Sequence, residues 1–195
     1  YKKKEVIFHS RSRTKTVYFV YSGEVMLYNL TKHGNRKVIF ILGKGQLLNQ
    51  SIVSKKPNAL FCEAVCPVKV IEIAEEQFLQ LMEQSHALTR AVLREYERNL
   101  WRMGHQLKNT TGNMQMERKI ATKLWKLGRD FGVDTEDGVM IDIDLTITLM
   151  ADLVGAPREN VSRACKVLTD RGLIRYGNKR FILTDSDGLA EFYKM

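Results

Sequence analysis

A short stretch near the C-terminus constrains the fold more than any other part of the chain. Residues 145–156 have a helical pattern that includes Gly155, Pro157–Arg163 opens a second helical pattern, and residues 164–174 complete it. A helix, a turn with glycine and a second helix that begins with polar and basic residues indicate a helix-turn-helix, whose second helix enters the major groove of DNA. We therefore expect Pro157–Arg163 to be the functional centre of the chain.

The length of 195 residues and the hydrophobic content of 44% allow two modest domains with packed cores. No run of about 18 apolar residues is present, so the sequence predicts no membrane span. Because the chain lacks an initiator Met and begins within a predicted strand, we expect the native N-terminus to be missing.

The cysteines form an odd and sparse set, Cys62, Cys66 and Cys165. This set fits a reducing cytoplasm better than a disulfide scaffold. In an extended strand, Cys62 and Cys66 would lie roughly 13 Å apart, which is beyond disulfide reach. No zinc-binding spacing is present, so we expect no metal site.

The net charge of +9 is not located where the helix-turn-helix is predicted. Residues 1–114 carry 18 Lys and Arg against 9 Asp and Glu, whereas residues 115–195 carry 13 of each. Residues 158–180, however, contain seven basic residues and only two acidic ones. A positive surface there would neutralise DNA phosphates.

Short strands separated by turns fill the first part of the chain. Strand patterns occur at residues 17–21, 24–30, 37–42, 60–65 and 68–73. Many short strands with regular turns predict an antiparallel β-roll, which we assign to residues 1–84.

From about Ser85 the pattern becomes helical, proline is absent, and apolar residues recur at spacings of three and four. A long helix with such a seam needs a partner. We expect residues 85–114 to pair in parallel with the same helix of a second subunit, and packing on the chain's own roll is the alternative. The predicted seam consists of Leu93, Tyr96, Leu100, Met103, Leu107, Thr110 and Met114.

The last part of the chain, residues 115–195, is expected to form a winged helix-turn-helix. Residues 116–127 have an amphipathic helical pattern, residues 140–144 alternate as a short strand, and residues 173–183 predict a hairpin around Gly177-Asn178. The predicted fold class is therefore α+β, with a roll, a long dimerisation helix and a winged helix-turn-helix.

In this order of elements and in two motifs, the chain resembles the CRP/FNR family of bacterial transcription regulators. The motifs are Val17–Val25 in the roll, and Leu153–Arg163 with Gly172–Ile174. The resemblance implies a cyclic-nucleotide-binding-like jelly roll, a homodimer on an inverted repeat of double-stranded DNA and, for an activator, contact with RNA polymerase. Glu159, Ser162 and Arg163 are similar to the FNR-like branch, which implies TTGA-like half-sites.

The second helix carries side chains suited to base recognition. Arg163 lies on the same face as Glu159, one helical turn earlier. Arg can donate two hydrogen bonds to guanine, and Glu can accept one from cytosine, while the short Ser162 can approach a base edge. We expect further contacts with the DNA backbone or bases from Arg158, Thr146, Thr148, Asn160 and Lys179. Pro157 stands where the resemblance implies a capping Ser, so we expect lower affinity with unchanged base preference.

The region that the resemblance implies for an effector departs from the family pattern. In cyclic-nucleotide-binding relatives a Glu holds the ribose, and Arg with Ser holds the cyclic phosphate. The corresponding residues here are Gln50 and Asn58-Ala59, and Gly104-His105 replaces a Thr-Ser pair beside the base. A neutral Asn cannot replace the charge-assisted contact of Arg, so we expect no productive cAMP binding.

Other effectors stay open at this point, because haem, a small molecule or no effector would each fit the family. The histidines that could ligate haem are His9, His33, His86 and His105, although each is better explained as a surface residue. No cofactor is evident from the sequence.

The leading hypothesis is a homodimeric, cytoplasmic DNA-binding transcription regulator, controlled by an effector other than cAMP or by none. A ligand-binding signalling module that acts through protein contacts is the alternative. An enzyme is disfavoured and no catalytic residue is assigned, because no nucleophile elbow, P-loop, dinucleotide fingerprint or metal-ligand spacing is present.

Overall fold

The structure, a computed structural model, describes residues 1–108 and 114–194 and, for Lys108, the backbone alone. These residues form two compact units. The N-terminal unit contains a roll and a long helix, and the C-terminal unit contains the elements from Met116 onward. The predicted α+β fold class is confirmed.

Six strands form the roll, and β-branched and aromatic residues are frequent in them, as strands favour. They are β1 (Val6–Phe8), β2 (Thr16–Ser22), β3 (Val25–Leu30), β4 (Arg36–Leu42), β5 (Phe61–Ala64) and β6 (Lys69–Ala74). One sheet has the order β1-β5-β3-β4, and β2 pairs with β6 in a second, antiparallel sheet. The core between them includes Leu27, Phe40 and Leu42.

Two helices follow the roll and meet at Ser85. Helix α1 (Glu75–Gln84) ends where Ser85 adopts an extended conformation, and the Ser85 hydroxyl accepts a hydrogen bond from Leu88 N in helix α2 (His86–Lys108). Val92 of α2 is buried in one cluster with Phe78 of α1 and Val17 of β2. The long helix is therefore held against the roll of its own chain.

Of the long helix predicted for residues 85–114, the structure describes α2 as far as Lys108. Met114 lies outside any helix, two residues before α3 begins. The predicted seam residue Thr110 lies outside the described residues.

The C-terminal unit consists of four helices and a small sheet. Its elements are α3 (Met116–Phe131), β7 (Gly132–Thr135), β8 (Gly138–Ile141), α4 (Ile147–Val154), α5 (Arg158–Asp170), β9 (Ile174–Gly177), β10 (Arg180–Leu183) and α6 (Ser186–Lys194). Ile120, Ala121 and Leu124 of α3 have no exposed surface, and α3 packs against α4, α5 and α6. This helix is the centre of the unit.

The sheet beside these helices is larger than the sequence predicts. Its order is β7-β8-β10-β9, so the expected hairpin of residues 173–183 is only half of it. The polar stretch from Gly132 to Gly138 forms the β7–β8 hairpin, and Gly138 adopts φ +119°, where an added Cβ would lie 2.2 Å from the Leu183 carbonyl oxygen. Glycine fits there because it has no Cβ. Helix α6 was also not predicted.

Candidate nucleic-acid interface

The turn between α4 and α5 depends on a glycine in a left-handed conformation. Thr146 caps α4, because its hydroxyl accepts a hydrogen bond from Leu149 N at 3.1 Å. Gly155 ends the helix with φ +73° and ψ +49°, a conformation that a side chain disfavours. The chain then leaves α4 and re-enters a helix within three residues, which is the geometry of a helix-turn-helix.

Helix α5 begins without a side-chain cap. Pro157 is the N-cap residue, one position before the first helical residue, and no side-chain hydrogen bond caps the helix. The Pro157 carbonyl accepts from Asn160 N at 3.1 Å and from Val161 N at 3.2 Å. The expected loss of a cap therefore agrees with the local geometry, and the backbone alone starts the helix.

One face of α5 is buried and thereby fixes the opposite face toward solvent. Val161, Ala164, Cys165 and Leu168 are buried at the helical spacings of one to four residues. Burial raises the pKa of Cys165 to about 11, so its thiol stays neutral at physiological pH and packs as an apolar group.

The exposed face of α5 brings four of the predicted DNA-contacting residues together. They line one surface depression of about 530 Å³, and they are Arg158, Glu159, Ser162 and Arg163. All four are exposed. Cationic, anionic and hydroxyl groups are thus available side by side on a helix face that nothing in the described chain covers.

Arg163 is hydrogen-bonded within the helix, but to a different residue than the sequence suggests. Its Nη2 donates to Asn160 Oδ1 at 2.5 Å. Within residues 1–108 and 114–194, no ion pair joins Arg163 to Glu159. The carboxylate of Glu159 therefore faces solvent rather than the guanidinium.

The remaining predicted contacts lie at other positions of the C-terminal unit. Thr148 is exposed in the first turn of α4, and Thr146 is half-buried as the cap. Asn178 and Lys179 both have positive φ, +49° and +61°, and form the tight turn between β9 and β10. The turn is centred one residue later than the predicted Gly177-Asn178, and it puts the exposed Lys179 at the tip of the wing.

Charge is strongly segregated along the sequence of this unit. Asp130 to Asp152 contains seven acidic residues and no Lys or Arg, and the basic segment 158–180 follows. Two basic residues of this segment form ion pairs with the acidic segment, Arg175 with Asp137 and Arg180 with Asp142. The exposed cations of α5 and the wing tip, which include Lys166, therefore define the positive surface.

Lys166 is a candidate that the sequence analysis missed. It is exposed in α5 and lies three residues after Arg163, so the two side chains share a helix face. The helical spacing from Glu159 through Arg163 to Lys166 was the signal that could have identified it.

Three of the five residues predicted for the effector region, Gln50, Asn58 and Ala59, lie in the loop between β4 and β5. Gln50 Oε1 accepts hydrogen bonds from Ala59 N at 3.2 Å and from Leu60 N at 3.4 Å, and Gln50 Nε2 donates to Leu48 O at 2.9 Å. The side chain of Gln50 thus ties the two ends of the loop together.

Asn58 in the same loop is buried rather than presented to a ligand. It is 4% exposed, its backbone bonds to Ser12 and Arg11, and its Nδ2 has no hydrogen-bond partner among the described residues. This side chain carries no charge that could pair with a phosphate.

The other two effector residues lie on α2. His105 contacts the ring of Trp101, with centroids 3.8 Å apart. Gly104 is exposed, and no atom lies within 4 Å of the place where its Cβ would be. Gly104 is four residues after Leu100 and three before Leu107, so it belongs to the exposed stripe of the helix rather than to the roll.

Most of the predicted seam of α2 is exposed. Leu93, Leu100, Met103 and Leu107 are 54%, 72%, 45% and 68% exposed. Tyr96 is an exception and corrects the predicted seam. It packs against the roll with Val92, its hydroxyl donates to Asn49 O at 3.4 Å, and burial raises its pKa to about 12. The helix therefore packs on its own roll through one face and exposes an apolar stripe on another.

No group of three His, Cys, Asp or Glu residues in the described ranges is arranged to hold a metal ion. None of the three cysteines, all of which lie in the described residues, forms a disulfide. None of the helices in the described ranges has the length and apolar character needed to cross a membrane.

Two family models match this chain. The cyclic nucleotide-binding domain matches residues 1–85, and the Crp-like helix-turn-helix domain matches residues 118–192. The chain belongs to the CRP/FNR family of transcription regulators. Members of this family are DNA-binding regulators rather than enzymes. At the level of the family, this confirms the expectation of a DNA-binding regulator and the expectation that the chain is not an enzyme.

Curated CRP/FNR relatives match over most of their length. A CRP-like cAMP-activated global transcriptional regulator of Mycobacterium tuberculosis is 25% identical over 175 residues, which are 89% of this chain and 78% of the relative. A global nitrogen regulator of Nostoc sp. is 24% identical over 92% of this chain and 82% of the relative. The structure of FixK2 from Bradyrhizobium japonicum has the same fold, with a TM-score of 0.83, 22% identity and coverage of 98% and 93%.

We predict that Pro157→Ser raises affinity for all DNA sequences by a similar factor of about two to five. A Ser hydroxyl and the restored backbone N–H add donors near the phosphates. Stability should change little, because a cap contributes about 1 kcal/mol and loss of the proline constraint costs up to about 1 kcal/mol.

Titration of fluorescent specific and random duplexes measures both affinities. Pro157→Ala restores the N–H without the hydroxyl and is the matched control. A change of base preference in Pro157→Ser would contradict the assignment of this position to the backbone.

Proposed function

We propose that this CRP/FNR regulator is a homodimer that binds an inverted DNA repeat, controlled by an effector other than cAMP or by none. Residues 1–84 would sense, residues 85–114 would dimerise, and residues 115–195 would bind DNA. The observation that carries the proposal is the exposed depression lined by Arg158, Glu159, Ser162 and Arg163 on the helix that follows Gly155. TTGA-like half-sites, implied by the similarity to the FNR-like branch, belong to the proposal.

The chemistry of this depression suits a major groove. A guanidinium can donate two hydrogen bonds to guanine O6 and N7, and a carboxylate can accept from cytosine N4. Arg163 and Glu159 supply these groups on one face, Ser162 is beside them, and Arg158 is in the first turn. Exposed Lys166 and Lys179, with Thr146 and Thr148, would position the helix on the backbone or extend base contact.

A second subunit is supported by the apolar stripe of α2. Leu93, Leu100 and Leu107 are seven residues apart and exposed, so they lie along one line of the helix. Met103 flanks this line. A symmetric partner would bury the stripe and bring two recognition helices to half-sites one DNA turn apart, about 34 Å.

An effector other than cAMP, or none, is supported by the loop between β4 and β5. The amides of Ala59 and Leu60 are already bonded to Gln50, and Asn58 offers no positive charge. Relatives include cAMP-activated regulators and nitrogen regulators, so family membership leaves the effector open. RNA polymerase would be a partner if the protein activates transcription. Three cysteines without a disulfide among them agree with action in a reducing cytoplasm.

The first of three predictions from this proposal concerns base recognition by Arg163. Arg163→Ala should cost roughly 1–3 kcal/mol on the site selected from a random DNA pool and should relax the preference at one base pair. Lys166→Ala is the matched control, because loss of a phosphate contact weakens all sequences alike and lowers the salt dependence by about one ion. Gel-shift titrations at several salt concentrations separate the two effects. An equal loss on selected and random DNA for Arg163→Ala would exclude base recognition.

The second prediction concerns the dimer. Leu100→Asp should raise the dissociation constant of the dimer by about 10²- to 10⁴-fold, because each subunit loses about 1.5–3 kcal/mol of apolar burial. Leu81→Asp changes an exposed Leu of α1 and should leave the dimer intact. Sedimentation equilibrium measures both. A wild-type protein that sediments as a monomer at micromolar concentration would contradict the proposal.

The third prediction concerns the effector region. Wild-type protein should show no heat of cAMP binding at millimolar concentrations in calorimetry, since the Arg for the phosphate is missing.

Gln50→Ala should speed hydrogen exchange at the Ala59 and Leu60 amides, because both lose their acceptor. Gln50→Glu keeps the acceptor oxygens and is the control. Saturable binding of cAMP by the wild type, or unchanged exchange in Gln50→Ala, would refute this account.

A further inference from the structure

Arg163 has two neighbours in α5 that can accept a hydrogen bond from its guanidinium. Glu159 lies four residues earlier and Asn160 lies three residues earlier, and both spacings bring side chains together on a helix. The bond that forms is to Asn160 Oδ1, at 2.5 Å. Across the described ranges 1–108 and 114–194, Glu159 and Arg163 make no ion pair with each other.

The choice of partner matters for both side chains. A bidentate ion pair of Arg163 with Glu159 would occupy two N–H donors of the guanidinium, and it would also occupy the carboxylate. A bond from one Nη2 hydrogen to Asn160 leaves four other N–H groups of the guanidinium free to reach a guanine. The Asn160 bond therefore keeps the guanidinium of Arg163 and the carboxylate of Glu159 available at once.

Asn160 is suited to hold the guanidinium. Its backbone N–H is bonded to Pro157 O at 3.1 Å, and the next residue, Val161, is fully buried, so the position is fixed in the first turn. Its side chain is half-buried, which leaves it fewer rotamers to lose on making the bond. Asn160 is also uncharged, so it orients Arg163 without neutralising it.

We propose that Asn160 is a positioning residue that draws Arg163 away from Glu159 and thereby sets the sequence specificity of the recognition helix. Asn160 acts through its hydrogen bond to Arg163, in place of the direct DNA contact that the sequence predicts for it. This inference rests on the proposed function, because it requires Arg163 to contact a base.

The test is a double-mutant cycle on DNA discrimination. Arg163→Ala first identifies the base pair that Arg163 recognises. Discrimination is then the ratio of affinities for the selected site and for the same site with that base pair changed. Asn160→Ala should lower this ratio about three- to tenfold, which lies within the range expected for loss of one typical hydrogen bond. Affinity for random DNA should stay the same.

Two further variants separate positioning from a purely structural role. In a Glu159→Ala background, Asn160→Ala should change the ratio by less than about twofold, because the competing carboxylate is gone. Asn160→Gln keeps a neutral amide oxygen as acceptor and should retain the preference at the Arg163 base pair. Circular dichroism checks that each variant folds.

Three outcomes would overturn the inference. An equal loss on selected and random DNA would assign Asn160 to the DNA backbone, and a loss of preference at a different base pair would make it a base-contacting residue. The same loss with and without Glu159 would exclude the competition. If Arg163→Ala itself changes no base preference, the proposed function fails instead, and this result is distinct from the other three.

Discussion

Burial of one face of α5 is the constraint on which the DNA-binding unit depends. Val161, Ala164 and Leu168 enter the core formed with α3, and a helix with one buried face has no freedom to rotate about its axis. The residues on the opposite face, which include Glu159, Ser162 and Arg163, are therefore turned outward as a set. Gly155 determines where α5 starts, since its left-handed conformation ends α4 three residues before. Packing in the core and one backbone conformation together decide which side chains α5 presents to solvent.

The long helix α2, like α5, has one buried face and one exposed face. One face, with Val92 and Tyr96, completes the core of the roll, and another, with Leu93, Leu100 and Leu107, stays exposed. Packing on the roll thus accounts for Val92 and Tyr96, and pairing with a partner, as proposed above, would involve the exposed residues. In that proposed dimer, a change in how α2 packs on its roll would alter the apolar stripe that α2 presents to the partner, and the roll would thereby affect the positions of the recognition helices.

Much of the fold and of the candidate site could be predicted from the sequence, because the spacing of apolar residues indicates which side chains are buried. The order of roll, long helix and helix-turn-helix follows from apolar spacing, and the outward-facing residues of α5 follow from the same rule. The alternating pattern at residues 140–144 predicts a strand that overlaps β8. Strand β7 and its hairpin with β8 could not be predicted, since β7 is short and exposed, and Gly138 is needed for a close backbone approach that no pattern reveals. The partner of Arg163 was also hidden, because spacings of three and four both permit contact and only the side-chain conformation decides.

The segregation of charge in the C-terminal unit has a kinetic consequence. Seven of the thirteen acidic residues in residues 115–195 lie between Asp130 and Asp152, and seven of the thirteen basic residues lie between Arg158 and Arg180. The exposed cations of α5 and the wing would attract the phosphates of a DNA duplex and would favour encounters in which α5 faces the duplex. Because residues 115–195 carry no net charge, this orientation depends on where the cations lie and not on how many there are.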